Sequence, residues 1–211
     1  MADSFGIPHI VDYLARMGVQ IASMSPEQEI VELAFHGSHG QWRLIASLQQ
    51  SDQARKLVLV APHIGTITRK KRLTCLEALM AVNYRIALGK FGLDLDDGEV
   101  RLEESVPLAN DSMTFEQFQL AFRAIVQTVA MYHSLLPRIL YGNLSAQEAL
   151  QACEEDFFQQ EGLLESDEDE EEEEEENDEE EKIIDSPPPA ELTIQDVMAE
   201  VTRLLEDRKE S

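Results

Sequence analysis

Hydrophobic positions along the chain change period several times, and each change marks an element. Ile7, Ile10, Val11, Leu14 and Met17 recur at helical spacing, with Pro8 suited to a first turn and Gly18 to the stop. From Glu29 the period becomes two. Val31, Leu33 and Phe35 share one face, Gly37-Ser38-His39-Gly40 makes a turn, and Trp42, Leu44, Ala46 and Leu48 return, predicting two hairpin-paired strands. A polar loop from Ser51 to Arg55 leads into Lys56 to Ala61, an unbroken apolar run. That run predicts a central strand covered on both faces and ending at Pro62.

Arg69-Lys70-Lys71-Arg72 opens a segment in which Leu73, Leu76, Leu79, Met80 and Asn83 fall three or four residues apart, predicting a second helix over roughly residues 69 to 83. The stretch from Asn83 to Pro107 then reads as one β-hairpin. Ala87, Gly89, Phe91, Leu93 and Leu95 alternate before the turn, and Val100, Leu102 and Val106 follow it. Asp96-Asp97-Gly98 supplies residues that tolerate φ > 0. Thr114 to Gln117 forms a capping box for a third helix, whose stripe is Phe115, Phe118, Phe122, Ile125, Val129 and Tyr132 and which ends before Pro137. Ser145 to Glu148 is a second box, starting a helix with Ala149, Leu150, Cys153 and Phe157 inward.

Charge then divides the chain. The formal net charge is −25, and fifteen of the seventeen positions from Glu165 to Glu181 are Asp or Glu. Such a run has nothing apolar to bury and cannot offset its ordering entropy, so the expectation is a disordered acidic linker over residues 161–189, ending in Pro187-Pro188-Pro189. Before it lies a domain of residues 1–160. Beyond it, residues 190–211 predict an amphipathic helix capped by Thr193, with Ile194, Val197, Met198, Val201, Leu204 and Leu205 on one face. An apolar face on a tethered helix needs a surface to bury it, so these six residues are candidate partner-binding positions. Cys75 and Cys153 both sit at apolar helical positions, which fits reduced, buried thiols. Neither a bilayer-spanning run nor a secretory leader is legible, so the expectation is a cytoplasmic protein. Strong acidity disfavours membrane surfaces and nucleic acid as partners.

Candidate chemistry is sparse. Asp94, Asp96 and Asp97 suggest a calcium loop, but the third expected ligand position is Gly98 and the twelfth is Ser105, where a bidentate Glu is needed. Turn chemistry accounts for them. His36 and His39 flank Gly37-Ser38, yet no HExxH or CxxC pattern supplies further ligands, and Ser38 has no strand-turn-helix elbow. The expectation is therefore no catalytic residue, no metal and no cofactor. Arg69, Lys70, Lys71 and Arg72 are the only basic cluster, read as a solvated helix face or as an intramolecular contact for the acidic run.

Taken together these elements predict an α+β domain in the order α-β-β-β-α-β-β-α. Its five-stranded, mainly antiparallel sheet carries packed helices, and an additional helix, the acidic tail and a C-terminal helix follow. That order resembles the YbjN-like family, in particular its cyanobacterial-type members. The likeness is carried by the run of the second helix into Asn83 to Leu102, by Val106-Pro107 and by the Phe-rich helix, and it covers roughly residues 5 to 142. The family is similar in fold to the chaperones of type III secretion, so the resemblance implies a non-enzymatic, protein-binding or chaperone-like regulator. A partner protein would engage the C-terminal helix or the domain surface, and homodimerisation is a further expectation. Two alternatives stand beside it: an uncharacterised enzyme with His36, His39 and a carboxylate, and a nucleic-acid-linked transcriptional regulator working through Arg69 to Arg72. A chain truncated after residue 160 is expected to keep a cooperative thermal melt by circular dichroism. A molten truncation would place the tail in the core.

Overall fold

The computed structural model describes residues 4–37, 40–50 and 54–159. The chain divides into two units, Met1–Cys153 and Glu154–Ser211. In chain order the elements are α1 (Ile7–Arg16), β1 (Ser23–Ser25), β2 (Ile30–Gly37), β3 (Gly40–Gln50), β4 (Arg55–Thr66), α2 (Arg72–Arg85), β5 (Lys90–Leu93), β6 (Glu99–Pro107), α3 (Phe115–Tyr132) and α4 (Leu135–Leu140). A last helix, α5, spans residues 146–159. The strands form one antiparallel sheet in the order β1-β2-β3-β4-β6-β5.

The α+β class is as expected, but the sheet has six strands, not five. The additional strand, β1, is Ser23-Met24-Ser25 and pairs with Ile30 to Glu32 of β2. Three residues without apolar alternation leave no period to read. β4 is central as expected but does not end at Pro62. It runs on to Thr66 through a register shift between Ala61 and Gly65. A bulge is where a strand tolerates a residue that cannot donate to the ladder. His63 occupies this bulge at φ 55, and its backbone N–H donates to Glu99 Oε1 at 3.0 Å. α4 is a second addition. Its Pro137 stands in the first turn, where a missing N–H removes no intrahelical bond.

Core residues come from one face of the sheet: Val31 and Leu33 of β2, Leu44, Ala46 and Leu48 of β3, Leu57, Leu59 and Ala61 of β4, and Val100 and Leu102 of β6. Buried residues of α1, α2, α3 and α4 join this same cluster, as do Ala149, Leu150 and Cys153 of α5. The Phe118, Phe122, Ile125, Val129 and Tyr132 stripe of α3 is core as its period predicts. Val58, on the opposite side of β4, is buried to 1 % exposure outside that cluster, and its neighbours Lys56 and Val60 are half-buried. Both capping boxes form. Thr114 and Gln117 exchange bonds of 3.0 and 3.2 Å. Glu148 accepts from the Ser145 backbone N–H at 2.9 Å, and this bond, with that from the Ser145 hydroxyl, holds its carboxyl below the ordinary value.

The predicted hairpin is shorter on its first side than its alternation suggests. α2 runs to Arg85, and only Lys90–Leu93 pairs with β6, leaving Ala87 and Leu95 exposed. Asn83 explains the geometry. Its amide donates from Nδ2 to the Phe91 carbonyl at 3.1 Å and accepts at Oδ1 from the Phe91 N–H at 2.7 Å, joining the end of α2 to β5. Gly98 closes the turn at φ 81, where an added Cβ would lie 2.7 Å from the Ile67 carbonyl oxygen. Asp94 and Asp97 accept from the backbone amides of Asp96 and Glu99 at 2.8 and 2.9 Å, so these carboxylates serve the turn. Replacing Asn83 with Ala strands both Phe91 backbone groups and should lower urea stability by about 1–3 kcal/mol. Asp94→Asn retains the accepting oxygen and should leave the denaturation midpoint unchanged; equal losses in both would contradict this assignment.

Candidate partner-binding surface

Helix α2 follows a 3₁₀ turn, Arg69–Lys71, and its N-terminus has no side-chain cap. Its register differs from the sequence expectation. Leu73, Leu76, Leu79, Met80 and Asn83 carry the spacing that predicts the helix, but the buried side chains are Cys75, Ala78, Leu79 and Val82. At about 100° per residue, these four centre almost opposite Leu73, Met80 and Tyr84. Those three are 71 %, 64 % and 92 % exposed. Apolar residues on both sides of one helix cancel in any single-stripe reading, and the inward side could not be assigned from period alone. The available signal was Tyr84, which falls four residues beyond Met80 and extends the outward line past the expected helix end.

At the head of this outward side stands the basic cluster. Arg69 and Lys70 are exposed, Lys71 and Arg72 are half-buried, and none pairs with a carboxylate among the described residues. The Arg72 Nε is buried without a hydrogen-bond partner. Cations at a helix N-terminus oppose the macrodipole, so helix stability does not explain four of them there. The exposed Glu77 lies on the outward side after this cluster, and Arg85 follows in the last turn.

Reactive groups are dispersed. The Cys75 thiol faces inward, and burial pushes it above its ordinary value while Lys71 acts weakly in the other direction, so it remains a neutral thiol. Cys153 is likewise buried and free. His36 is exposed on β2 opposite Gln41, and His39 lies outside the described residues. His63 Nδ1 meets Glu99 Oε1 at 3.0 Å, His9 Nδ1 accepts from the Gly6 N–H, and His133 Nδ1 lies 2.9 Å from the Ala130 carbonyl. Among the described residues no group of three His, Cys, Asp or Glu could hold a metal ion. None of the described helices is long and apolar enough to cross a membrane. Ile194, Val197, Met198, Val201, Leu204 and Leu205 lie outside the described residues, as does the acidic run.

The family model YbjN, described as "Putative bacterial sensory transduction regulator", matches residues 9–136. No curated protein matches the chain. Among solved structures, YbjN, "a putative transcription regulator from E. coli", is 17 % identical, covers 61 % of this chain and 89 % of its own, and has a TM-score of 0.46. The ExsC-ExsE complex gives 18 % identity, 63 % and 97 % coverage, and a TM-score of 0.43.

The two sides of α2 should separate in a mutational pair. Leu79→Ala opens a cavity and should cost about 2–4 kcal/mol. Leu73→Ala, on the outward side, should stay within about 0.5 kcal/mol by chemical denaturation. Similar losses in both would mean that Leu73 is buried in solution.

Proposed function

The chain belongs to the YbjN family, and from that premise we propose that it is a non-enzymatic, protein-binding regulatory protein acting in the cytoplasm, whose contact surface is the outward side of α2. The observation that carries this reading is the pairing of two opposed apolar sides on one helix: one completes the core and the other exposes Leu73, Met80 and Tyr84. An apolar side chain that is largely exposed and costly to hydrate suits an interface. Exposed Tyr with neighbouring Arg is also the composition that dominates binding energy at protein contacts. Local hydrogen bonds engage His9, His63 and His133 and the turn carboxylates Asp94 and Asp97, which favours binding as the better-supported reading.

The C-terminal segment belongs to the same proposal. Ile194, Val197, Met198, Val201, Leu204 and Leu205 recur at helical spacing after the acidic run, and an isolated helix of that length is marginal in water. Burial of six such side chains supplies on the order of several kcal/mol, which suits the helix-in-groove mode. The test is affinity capture from native extract with the full chain, a Met80→Asp/Tyr84→Asp variant and a chain lacking residues 190–211. The reading expects the α2 variant to melt as the parent does and to lose the captured protein. Undiminished capture by that variant removes α2 as the contact surface, and undiminished capture without residues 190–211 removes the terminal segment.

A further inference from the structure

This inference rests on the reading of α2 as a contact surface and concerns what that surface selects. We propose that the outward side of α2 recognises an acidic amphipathic helix of a partner protein. The partner's apolar line covers Leu73, Met80 and Tyr84, and its carboxylates meet Arg69, Lys70, Lys71 and Arg72.

Charge placement is the argument. In a chain of formal net charge −25, the one basic cluster stands at the head of the exposed apolar line. All four cations are unpaired with carboxylates among the described residues, and the helix dipole opposes them at this position. An incoming carboxylate relieves that repulsion and supplies a charged acceptor to the Arg72 guanidinium, whose Nε is buried without a partner. Leu73, Met80 and Tyr84 are spaced seven and four residues apart, a line that a second helix can follow along about three turns.

A second copy of the chain fits this surface poorly. Pairing two α2 helices antiparallel about a twofold axis sets Glu77 near Glu77 and brings the basic cluster of each towards Arg85 of the other. Parallel pairing stacks the two basic clusters. Either arrangement juxtaposes like charges, which association penalises. An acidic helix avoids both arrangements when its carboxylates stand over the basic cluster and its apolar line passes Glu77.

The test uses the full chain and two fluorescein-labelled amphipathic peptides of about 18 residues, identical in their Leu positions, one carrying Glu and the other Lys on the polar side. Fluorescence polarisation should show binding of the Glu peptide that falls as salt rises, whereas the Lys peptide, which the acidic run attracts, should not lose binding in Met80→Asp/Tyr84→Asp. Met80→Asp/Tyr84→Asp and, separately, Arg69→Glu/Lys70→Glu should each weaken the Glu peptide at least about tenfold, which corresponds to 1.4 kcal/mol. Circular dichroism melts should remain at the parent value. A Lys peptide that loses binding in Met80→Asp/Tyr84→Asp as the Glu peptide does, or an Arg69→Glu/Lys70→Glu variant that binds the Glu peptide as the parent does, overturns the acidic preference. Lysate capture that still depends on Met80 and Tyr84 would then leave the contact-surface reading standing. Binding of the Glu peptide undiminished in Met80→Asp/Tyr84→Asp places its site elsewhere and overturns the proposal. So does a dimer by sedimentation equilibrium that this variant dissolves. Binding that emerges only when residues 160–211 are deleted makes the chain's own terminal segment the occupant, which also overturns it.

Discussion

The rotation of α2 about its axis is the constraint on which its exposed apolar side depends. Two bonds from one side chain set it: the Asn83 amide satisfies both the N–H and the C=O of Phe91. With that end held, Cys75, Ala78, Leu79 and Val82 enter the core, and Leu73, Met80 and Tyr84 are turned to solvent. A rotation of about one residue step, 100°, would exchange part of one set for the other. An amide that both donates and accepts across a helix–strand junction forbids that exchange, because leaving either group buried and unpaired costs about 1–3 kcal/mol.

Sheet topology supports the same arrangement from below. β6 lies between β4 and the short β5, so the residues after α2 must re-enter the sheet at its edge. Gly89 makes this possible. At φ 77 it turns the chain between α2 and β5, its N–H donates to the Glu104 carboxylate, and Ile125 of α3 occupies the space a Cβ would need. Each of these is a local condition on the link between α2 and β5. Together they hold α2 against the core while its other side stays free.

Electrostatics divides the molecule along a different line from packing. The buried cluster of the described residues runs from Phe5 to Cys153, whereas the charge is concentrated in the sequence from Glu165 to Glu181. Against this acidity the cluster from Arg69 to Arg72 is the local exception. There charge placement works against secondary structure, since the positive end of α2 carries four positive residues. Departures from local rules of this kind are expected at functional positions, where selection acts on binding rather than on the stability of the element.

By itself the sequence determined the elements whose signals are local: α1, the β2–β3 hairpin, the capped helices α3 and α5, the φ > 0 turn at Gly98, and the uneven distribution of charge. Each follows from period, capping or turn chemistry within a few residues, where one physical effect dominates. Tertiary structure decided the rest. β1 exists because β2 offers Ile30 to Glu32 as an edge, which three residues without alternation could not announce. β4 passes Pro62 because β6 accommodates a register shift. α2 carries apolar residues on both sides, so its inward side was set by where Asn83 met β5 and by what the sheet and α4 could bury. Burial is a property of neighbours, and the neighbours of α2 come from distant parts of the chain.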